Sequence, residues 1–458
     1  VRSLRFTYAW MAAQYLSSMK VILPRNDSKI DQEKRTEKDF KEKVAIMEQL
    51  FRALYEVKDL TFWQVLHFWI FRFITISFEL YLEDGLITFY VLAPKYLESI
   101  VEKQITSFYP TAEVTHKRPP ELWQKGMKLV GYNMIGKKAF PYPFRFFDQM
   151  QDDPLNDIGN ALSKLEPGET AGLQVIITPV FSERWARKTK NFASSSFKGK
   201  KQTIFDRIPG LKMFGGIFSF VTDSGPTNAP GASSGDSFVR MIQPEEELYK
   251  RMGEKAGMSG FHTSIRMLAA AHTWPRALDI TNNMQVAFNV FKDLYGNYFK
   301  NRRMFFDFMP LTFNQYLIYP LWTRRINGYF HRRNLMVEKE LASVYHFPDS
   351  RYNTIPIIDW IRYKVLPPPA TLPKKGILLG VNRYRAVDTK ILFDEGDRTR
   401  HQYIIGKSGC GKSSLLNAGI SPDLDKENLR GKRQYIPVFI RFHSHIGNEQ
   451  YDWFDWFT

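Results

Sequence analysis

The spacing of apolar residues changes along the chain, from a helical period to the alternation typical of strands. Behind a highly charged lead-in, the apolar side chains of residues 44–54 follow helical spacing, which predicts an amphipathic helix. From residue 74, apolar and polar residues alternate as far as Leu82, a tight turn follows at Glu83-Asp84-Gly85, and alternation resumes over 87–91. The pattern therefore predicts a helix followed by a β-hairpin.

A second helix and a third strand follow the hairpin. Pro94 ends the second strand, residues 97–105 carry one apolar helical face, and residues 112–116 have the character of an extended segment. The order strand, hairpin, strand, helix, strand is typical of a ferredoxin-like split βαβ unit. A short β segment near residues 127–134 and a helix opened by Asp153-Pro154 complete this part of the chain.

The middle of the chain repeats the alternation of strands and helices. Residues 172–180 (GLQVIITPV) predict a buried strand, and residues 260–269 (GFHTSIRMLA) predict an alternating strand that precedes a helix over 276–291. Between them, residues 222–237 are rich in Gly, Ser, Pro and Asn, which is typical of a flexible linker or long loop. A further short helix is predicted over 335–349.

A proline-rich passage, LPPPATLPKKG (366–376), marks a domain boundary. We predict a charged N-terminal helical segment (1–60), a first α+β domain (61–166), a second α+β domain that includes the linker (167–365), and the N-terminal part of a P-loop NTPase domain (366–458). The predicted fold class is thus α+β, with ferredoxin-like pieces followed by the truncated start of an α/β P-loop NTPase domain. The chain begins at Val1 and stops soon after the phosphate loop described below, so we expect it to be a fragment of a longer protein.

Composition narrows the class of protein. The single cysteine among 458 residues excludes a disulfide framework and a cysteine-based zinc site. The net charge of +17 suits a polyanion, either nucleic acid or an anionic membrane face, although a solvated basic surface explains it as well. A basic run over 184–201 and arginines among aromatics in 297–335 are local candidates for such contacts, and a solvated linker and a domain interface are the respective alternatives. No window is long and apolar enough to predict a transmembrane helix.

The stretch that carries recognisable chemistry is HQYIIGKSGCGKSSLLNAGI (401–420). A short apolar strand, a glycine-rich turn and a helical pattern follow one another, and the pattern G-x-x-x-x-G-K-[ST] is met. Glycines let backbone N–H groups approach phosphate oxygens, Lys412 would reach the β- and γ-phosphates of ATP, and the Ser413 hydroxyl would bind Mg²⁺. The predicted nucleotide-binding residues are Gly406, Lys407, Ser408, Gly409, Cys410, Gly411, Lys412, Ser413 and Ser414. No catalytic carboxylate is assigned.

The order of parts resembles a known family. The phrases ELASVYHFP, GILLGVNRYR and DRTRHQYIIGKSGCGKSS are similar to the conjugative-transfer ATPases of the HerA/FtsK superfamily, the TraD- and TraG-like coupling proteins of type IV secretion. The resemblance covers about residues 38–414 and is specific around 338–348 and 376–413. It implies an ATP-driven, DNA-translocating homohexamer that contacts secretion-channel proteins. It also implies a cytoplasmic protein at the bacterial inner membrane, peripheral or anchored through a segment upstream of Val1.

After Ser414 the chain resembles a different family. The Asn-Ala-Gly turn at 417–419 and the strand YIPVFIRF (435–442) are similar to signalling NTPases of the STAND type. Three functions therefore stay open: a subunit of a DNA-translocating ATPase, a STAND-type NTPase whose nucleotide state switches assembly, and a non-catalytic assembly module.

Overall fold

In the computed structural model, the described residues are 10–11, 15–25, 37–58, 74–197, 243–304, 310–325, 334–353, 355–361, 368–369, 371–384, 387–394 and 396. The chain divides into two compact units, Val1–Val365 and Leu366–Thr458. The mixed α+β class predicted from the sequence is confirmed, whereas the predicted P-loop domain (366–458) lies outside the described residues from residue 397 onward.

A ten-stranded sheet forms the frame of the first unit. Its strands are β1 (Leu16–Pro24), β2 (Ile76–Glu83), β3 (Leu86–Pro94), β4 (Glu113–Thr115), β5 (Lys128–Gly136), β6 (Thr170–Pro179), β7 (Gly260–Ala271), β8 (Phe299–Arg303), β9 (Asn334–Val337) and β10 (Trp360–Ile361). The main order is β10-β1-β3-β2-β6-β7-β5-β8, with β4 paired to β1 and β9 paired to β7. Only the β1–β10 pair is parallel among these strands.

Eight α-helices of the first unit are described. They are α1 (Glu37–Tyr55), α2 (Glu98–Phe108), α3 (Pro154–Leu162), α4 (Arg184–Phe197), α5 (Gln243–Ala256), α6 (Trp274–Ala287), α7 (Leu311–Thr323) and α8 (Glu338–Val344). Short 3-10 helices lie at Glu56–Lys58, Lys95–Leu97, Phe147–Gln149 and Phe288–Phe291.

The hairpin predicted near residue 84 is present. Strands β2 and β3 pair in antiparallel register from Ser77↔Leu92 to Glu83↔Leu86, which leaves a two-residue turn at Asp84-Gly85. Both turn residues have positive φ, 51° and 77°, as the tight turn that matches strand twist requires. An Asp-Gly pair between alternating segments was therefore a sufficient sequence signal for this element.

The two faces of the sheet carry different cores. On one face, the main core joins strand residues such as Phe78 and Leu80 to apolar side chains of α1, α2, α3, α6 and α8. On the other face, Tyr81, Leu129 and Leu268 pack against Trp322 and its neighbours on α7. Because successive strand residues point to opposite faces, β2 supplies Phe78 and Leu80 to the first core and Tyr81 to the second. Glu79, on the same face as Tyr81, therefore lies beneath α7.

The sheet is continuous across both predicted α+β domains. Strand β2 pairs with β6, and β5 pairs with β7 and β8, so strands from 61–166 and 167–365 alternate in one layer. The β2, β3, α2, β4 order follows the split βαβ pattern along the chain, but β4 pairs with β1 rather than with β2 or β3. The linker at 222–237 lies outside the described residues.

Two elements differ from the sequence-based expectation. The helix predicted from residue 335 begins at Glu338, because Asn334–Val337 pair with β7 as strand β9. No strand was predicted for β1, although Met19, Val21 and Leu23 alternate there and are buried. Three alternating apolar positions are a weak sequence signal for a strand. Pairing with β3, β4 and β10 stabilises β1, and these tertiary contacts cannot be deduced from its own sequence.

The described part of the second unit is a β-hairpin. Strands β11 (Ile377–Tyr384) and β12 (Val387–Phe393) pair in antiparallel register, with a shift between Leu378 and Gly380.

Candidate functional site

The predicted phosphate loop, Gly406 to Ser414, lies outside the described residues. The nucleotide-binding assignments of Lys412 and Ser413 therefore stay predictions. In the sequence, the β11–β12 hairpin ends ten residues before Tyr403, the first residue of the predicted apolar strand that leads to the loop. Among the described residues of the first unit, polar side chains gather in two buried clusters and at a surface cleft beside β1.

The first cluster surrounds Glu79 on β2, whose side chain is fully buried. Arg325, just beyond α7, donates Nε–H to Glu79 Oε1 and Nη2–H to Oε2, both at 2.9 Å. Gln174 donates to Oε1 at 2.8 Å, Ser77 donates to Oε1 at 2.6 Å, and the Tyr81 hydroxyl donates to Oε2. Each carboxylate oxygen thus has two or more donors.

The electrostatics of this cluster favour the ion pair. Burial alone would raise the pKa of Glu79, but the Arg325 charge, together with hydrogen bonds from Arg325, Ser77 and Tyr81, lowers its pKa overall. Glu79 in turn raises the pKa of Arg325 above its ordinary value, against the effect of burial. The backbone of Arg325 has a positive φ of 48°, which is uncommon for residues other than Gly and Asn.

A second arginine extends the cluster. Burial lowers the pKa of Arg266 on β7 to about 10. Its Nη1 donates to Gln174 Oε1 at 3.2 Å and to the Leu321 carbonyl at 3.0 Å. Gln174 also donates to the Trp322 carbonyl at 3.3 Å. The cluster therefore fastens the C-terminal end of α7 to β2, β6 and β7. Since Glu79 is enclosed and its oxygens are occupied, this arrangement fixes the fold rather than offering a base to a substrate.

The second cluster is organised by the short helix α8. Glu340 accepts hydrogen bonds at Oε1 from Lys255 Nζ and from the Phe144 amide, each at 2.9 Å, and at Oε2 from the Val337 amide at 3.1 Å. Lys255 and Glu340 are both fully buried, so the pair replaces lost hydration with mutual contact and backbone donors. Ser343 accepts the Phe147 amide at 2.9 Å.

His346 closes the same cluster, two residues beyond α8. Its Nδ1 lies 2.9 Å from the Ala342 carbonyl, and its Nε2 lies 2.8 Å from Asp153 Oδ1. Asp153 is the N-cap of α3, where Oδ1 accepts the Leu155 amide at 2.8 Å, and Oδ2 accepts Asn353 Nδ2 at 2.8 Å. The prediction that Asp153-Pro154 opens a helix is thus confirmed, with a second function for the aspartate that its local sequence does not reveal.

An open cleft of about 410 Å³ lies where β1 begins, beside α2. His116 Nδ1 lies 3.1 Å from Glu98 Oε1, Lys95 also pairs with Glu98, and Lys117 donates to Glu83 at 2.5 Å. Arg118 completes the basic lining. Within the described residues, no group of three or more His, Cys, Asp or Glu side chains is placed to hold a metal ion.

The basic run predicted as a polyanion contact is in part helical. Arg184, Arg187, Lys188 and Lys190 are exposed on α4, which packs against α5, whereas the lysines at 198–201 lie outside the described residues. In the described ranges, no helix has both the length and the apolar character needed to cross a bilayer.

Two family models match separate parts of the chain. A model described as "Domain of unknown function (DUF8128)" matches residues 33–360, which include most of the ten-stranded sheet and both buried clusters. A model described as "Novel STAND NTPase 1" (nSTAND1) matches residues 384–445, which include the predicted phosphate loop and the predicted strand at 435–442. No curated protein matches the chain. Residues 384–445 are therefore a STAND NTPase-like stretch, and the HerA/FtsK resemblance receives no support from these matches.

Proposed function

The chain belongs to the DUF8128 family, and we propose that its chemical activity is nucleotide binding by the STAND-like stretch that follows the DUF8128 region. The observation that carries the proposal is the agreement between a family match and the motif within it. Residues 384–445 match a STAND NTPase model, and the same residues contain the complete pattern Gly406, Gly411, Lys412, Ser413.

The proposed ligand is ATP with Mg²⁺. The backbone amides of Gly406–Gly411 would surround the phosphates, Lys412 would contact the β- and γ-phosphates, and the Ser413 hydroxyl would bind Mg²⁺. In this proposal the DUF8128 region is a non-catalytic module, because its buried carboxylates at Glu79, Asp153 and Glu340 are already engaged by basic and amide donors. Nucleotide-dependent assembly would be the output.

The test is the affinity of the intact chain for ATP in the presence of Mg²⁺, measured by calorimetry. Lys412→Ala removes a charge-assisted contact of about 1.5–3 kcal/mol, so we expect affinity to fall roughly tenfold to hundredfold. Lys390→Ala, at an exposed position on β12, is the matched control and should leave affinity unchanged. Equal affinity in the Lys412→Ala and Lys390→Ala chains would refute the assignment.

The net charge of +17 favours a second candidate, a DNA-translocating motor that works as a homohexamer with membrane or secretion-channel partners. The two candidates differ in their response to DNA. A STAND-type switch would show slow ATP turnover and nucleotide-dependent oligomerisation that DNA does not change. ATP hydrolysis stimulated several-fold by DNA, with stimulation lost at higher salt, would favour the motor.

A further inference from the structure

The buried contact between His346 and Asp153 fixes the protonation state of the histidine. Both side chains are nearly inaccessible to solvent, at 3% and 6% exposure. The Ala342 carbonyl can only accept a hydrogen bond, so His346 Nδ1 must carry a proton to make its 2.9 Å contact. An ionised Asp153 can likewise only accept, so the 2.8 Å contact at Nε2 requires a second ring proton. With Asp153 ionised, the geometry therefore calls for an imidazolium.

The surroundings of Asp153 favour its ionised form. Its two oxygens together accept the Leu155 amide and Asn353 Nδ2 in addition to the histidine. As the N-cap of α3, the carboxylate also lies at the positive end of the helix dipole. A neutral Asp153 that donated to His346 would give up both of these advantages.

The ion pair lies at the start of the segment that leads out of the DUF8128 region. This exit segment, residues 346–353 and 355–361, is attached to α3 through Asn353 and through Asn156, which donates to the Tyr352 carbonyl at 3.0 Å. It continues into β10, whose residues pair with β1. Two backbone hydrogen bonds also join the exit segment to Ile87 on β3. The Ile87 amide donates to the Ile357 carbonyl at 2.6 Å, and the Asp359 amide donates to the Ile87 carbonyl at 3.0 Å.

We propose that the His346–Asp153 ion pair is a pH-responsive latch that holds the exit segment on the DUF8128 region. When His346 loses a proton, its ring can no longer donate to both neighbours. One buried acceptor then loses its histidine donor and the buried carboxylate loses its countercharge, so release of the segment into water becomes easier. The inference concerns the DUF8128 region alone and does not depend on nucleotide binding.

The direction of the pH effect follows from the raised pKa of His346. Burial would lower this pKa, but the Asp153 charge, the Asp153 hydrogen bond and the Ala342 carbonyl raise it overall. The stabilisation is therefore fully present below the unfolded value of about 6.5 and is lost as the pH rises through the folded pKa. Other charged groups of the elements packed around the histidine include Asp152 before α3 and Asp157 on α3, Glu338, Lys339 and Glu340 on α8, Asp349 with Arg351 in the exit segment, and Lys43 on α1. Among all these groups, His346 alone is a histidine.

The first measurement is nitrogen NMR of the intact chain with labelled histidine. The chain has nine histidines, so the His346 ring signals are assigned by their loss in the His346→Gln chain. We expect both ring nitrogens of His346 to be protonated at pH 6, and one of them to lose its proton at a pH above about 6.5. A neutral ring at pH 6 would overturn the proposal, and this reading needs only the wild-type fold.

The second measurement is hydrogen exchange of peptides that cover the exit segment, from pH 6 to 9, corrected for intrinsic exchange. Opening should rise about tenfold per pH unit between about 6.5 and the folded pKa and then level off, while the β2–β3 hairpin serves as the internal reference. His116→Gln, at a more exposed histidine paired with Glu98, is the matched control and should keep the step. A flat profile in the wild type, or a step that survives in His346→Gln, would refute the latch.

Discussion

The DUF8128 region and the STAND-like stretch use charged residues in opposite ways. In the DUF8128 region the most deeply buried carboxylates, such as Glu79 and Glu340, each face a basic partner and backbone or side-chain donors. In the STAND-like stretch, Lys412 belongs to a glycine-rich sequence whose spacing is the one that a phosphate-binding loop requires. The comparison teaches that a buried charge with a partner indicates a contribution to folding stability, whereas a lysine between glycines and serines indicates a candidate phosphate-binding residue. Substitutions in the two regions should therefore have separable effects.

The largest expected effect is on stability, from Arg325→Ala. The change leaves Glu79 buried without its countercharge, so we expect the free energy of unfolding to fall by about 3–5 kcal/mol. Chemical denaturation of the intact chain measures this loss. Arg324→Ala is the neighbouring control, since within the described part of the chain Arg324 contacts Trp10 and no buried carboxylate, and it should cost far less. ATP affinity that fell in Arg325→Ala under folded conditions would break the proposed separation of roles.

Gly159→Val should have the next largest effect. A Cβ at Gly159 on α3 would lie 2.0 Å from Ile355 Cδ1, so the exit segment and α3 can approach this closely only at a glycine. Overpacking of this kind costs about 1–3 kcal/mol, measured by thermal or chemical unfolding. The Gly159→Val, Ile355→Ala double variant makes room for the added side chain and should recover part of the loss. No recovery would mean that α3 and the exit segment do not pack as described.

Stability should depend on pH from both sides. The pKa values of Glu79 and Asp153 are lowered in spite of burial, because Arg325 and His346 respectively lie against them. Their contributions are present above the unfolded values of about 4 and are lost as the pH falls through the folded pKa. The stabilisation by protonated His346 is lost at high pH, so the unfolding free energy should be greatest between about pH 4.5 and 6.5. Each unit of pKa shift corresponds to about 1.4 kcal/mol. A maximum near pH 9 in denaturation curves would contradict these protonation states.

The smallest effect is expected at the surface cleft. Glu98→Gln removes contacts to Lys95 and His116, both of which are exposed, so the loss should stay within about 0.2–1 kcal/mol. It should also shrink at high salt, whereas the loss in Arg325→Ala should not. Unfolding curves at two salt concentrations provide the check, and a loss above about 2 kcal/mol would show that the cleft is more than a solvated ion-pair network.

Local sequence patterns predicted much of the fold. The Asp84-Gly85 turn, the Asp153-Pro154 helix start and the alternation over 260–269 each contain their own signal, and each element is present. What local patterns could not show is pairing between distant segments. Nothing near Glu79 indicates Arg325, which lies 246 residues away, and nothing near His346 indicates Asp153, 193 residues away. Such pairs depend on strand order, and strand order is decided by tertiary contacts.

For the candidate binding site, the local sequence predicts the residues, but it does not predict what the protein does with the nucleotide. The phosphate-loop residues were identified from spacing alone, because backbone phosphate contacts require glycine at fixed positions. The choice between a STAND-type switch and a DNA motor could not be made in the same way, since both bind ATP through an equivalent loop. The family match over 384–445 supports the STAND-like character of the stretch, and the output proposed for it still needs a direct test.

Hydrogen exchange of the intact chain, with and without ATP and Mg²⁺, tests the proposed site most directly. Protection gained on nucleotide addition should include peptides from 401–420, while peptides from the β2–β3 hairpin should not change. The gain should be absent in Lys412→Ala and retained in Lys390→Ala. Protection that appeared around Glu79 or His346 without any change at 401–420 would contradict the assignment of nucleotide binding to the STAND-like stretch.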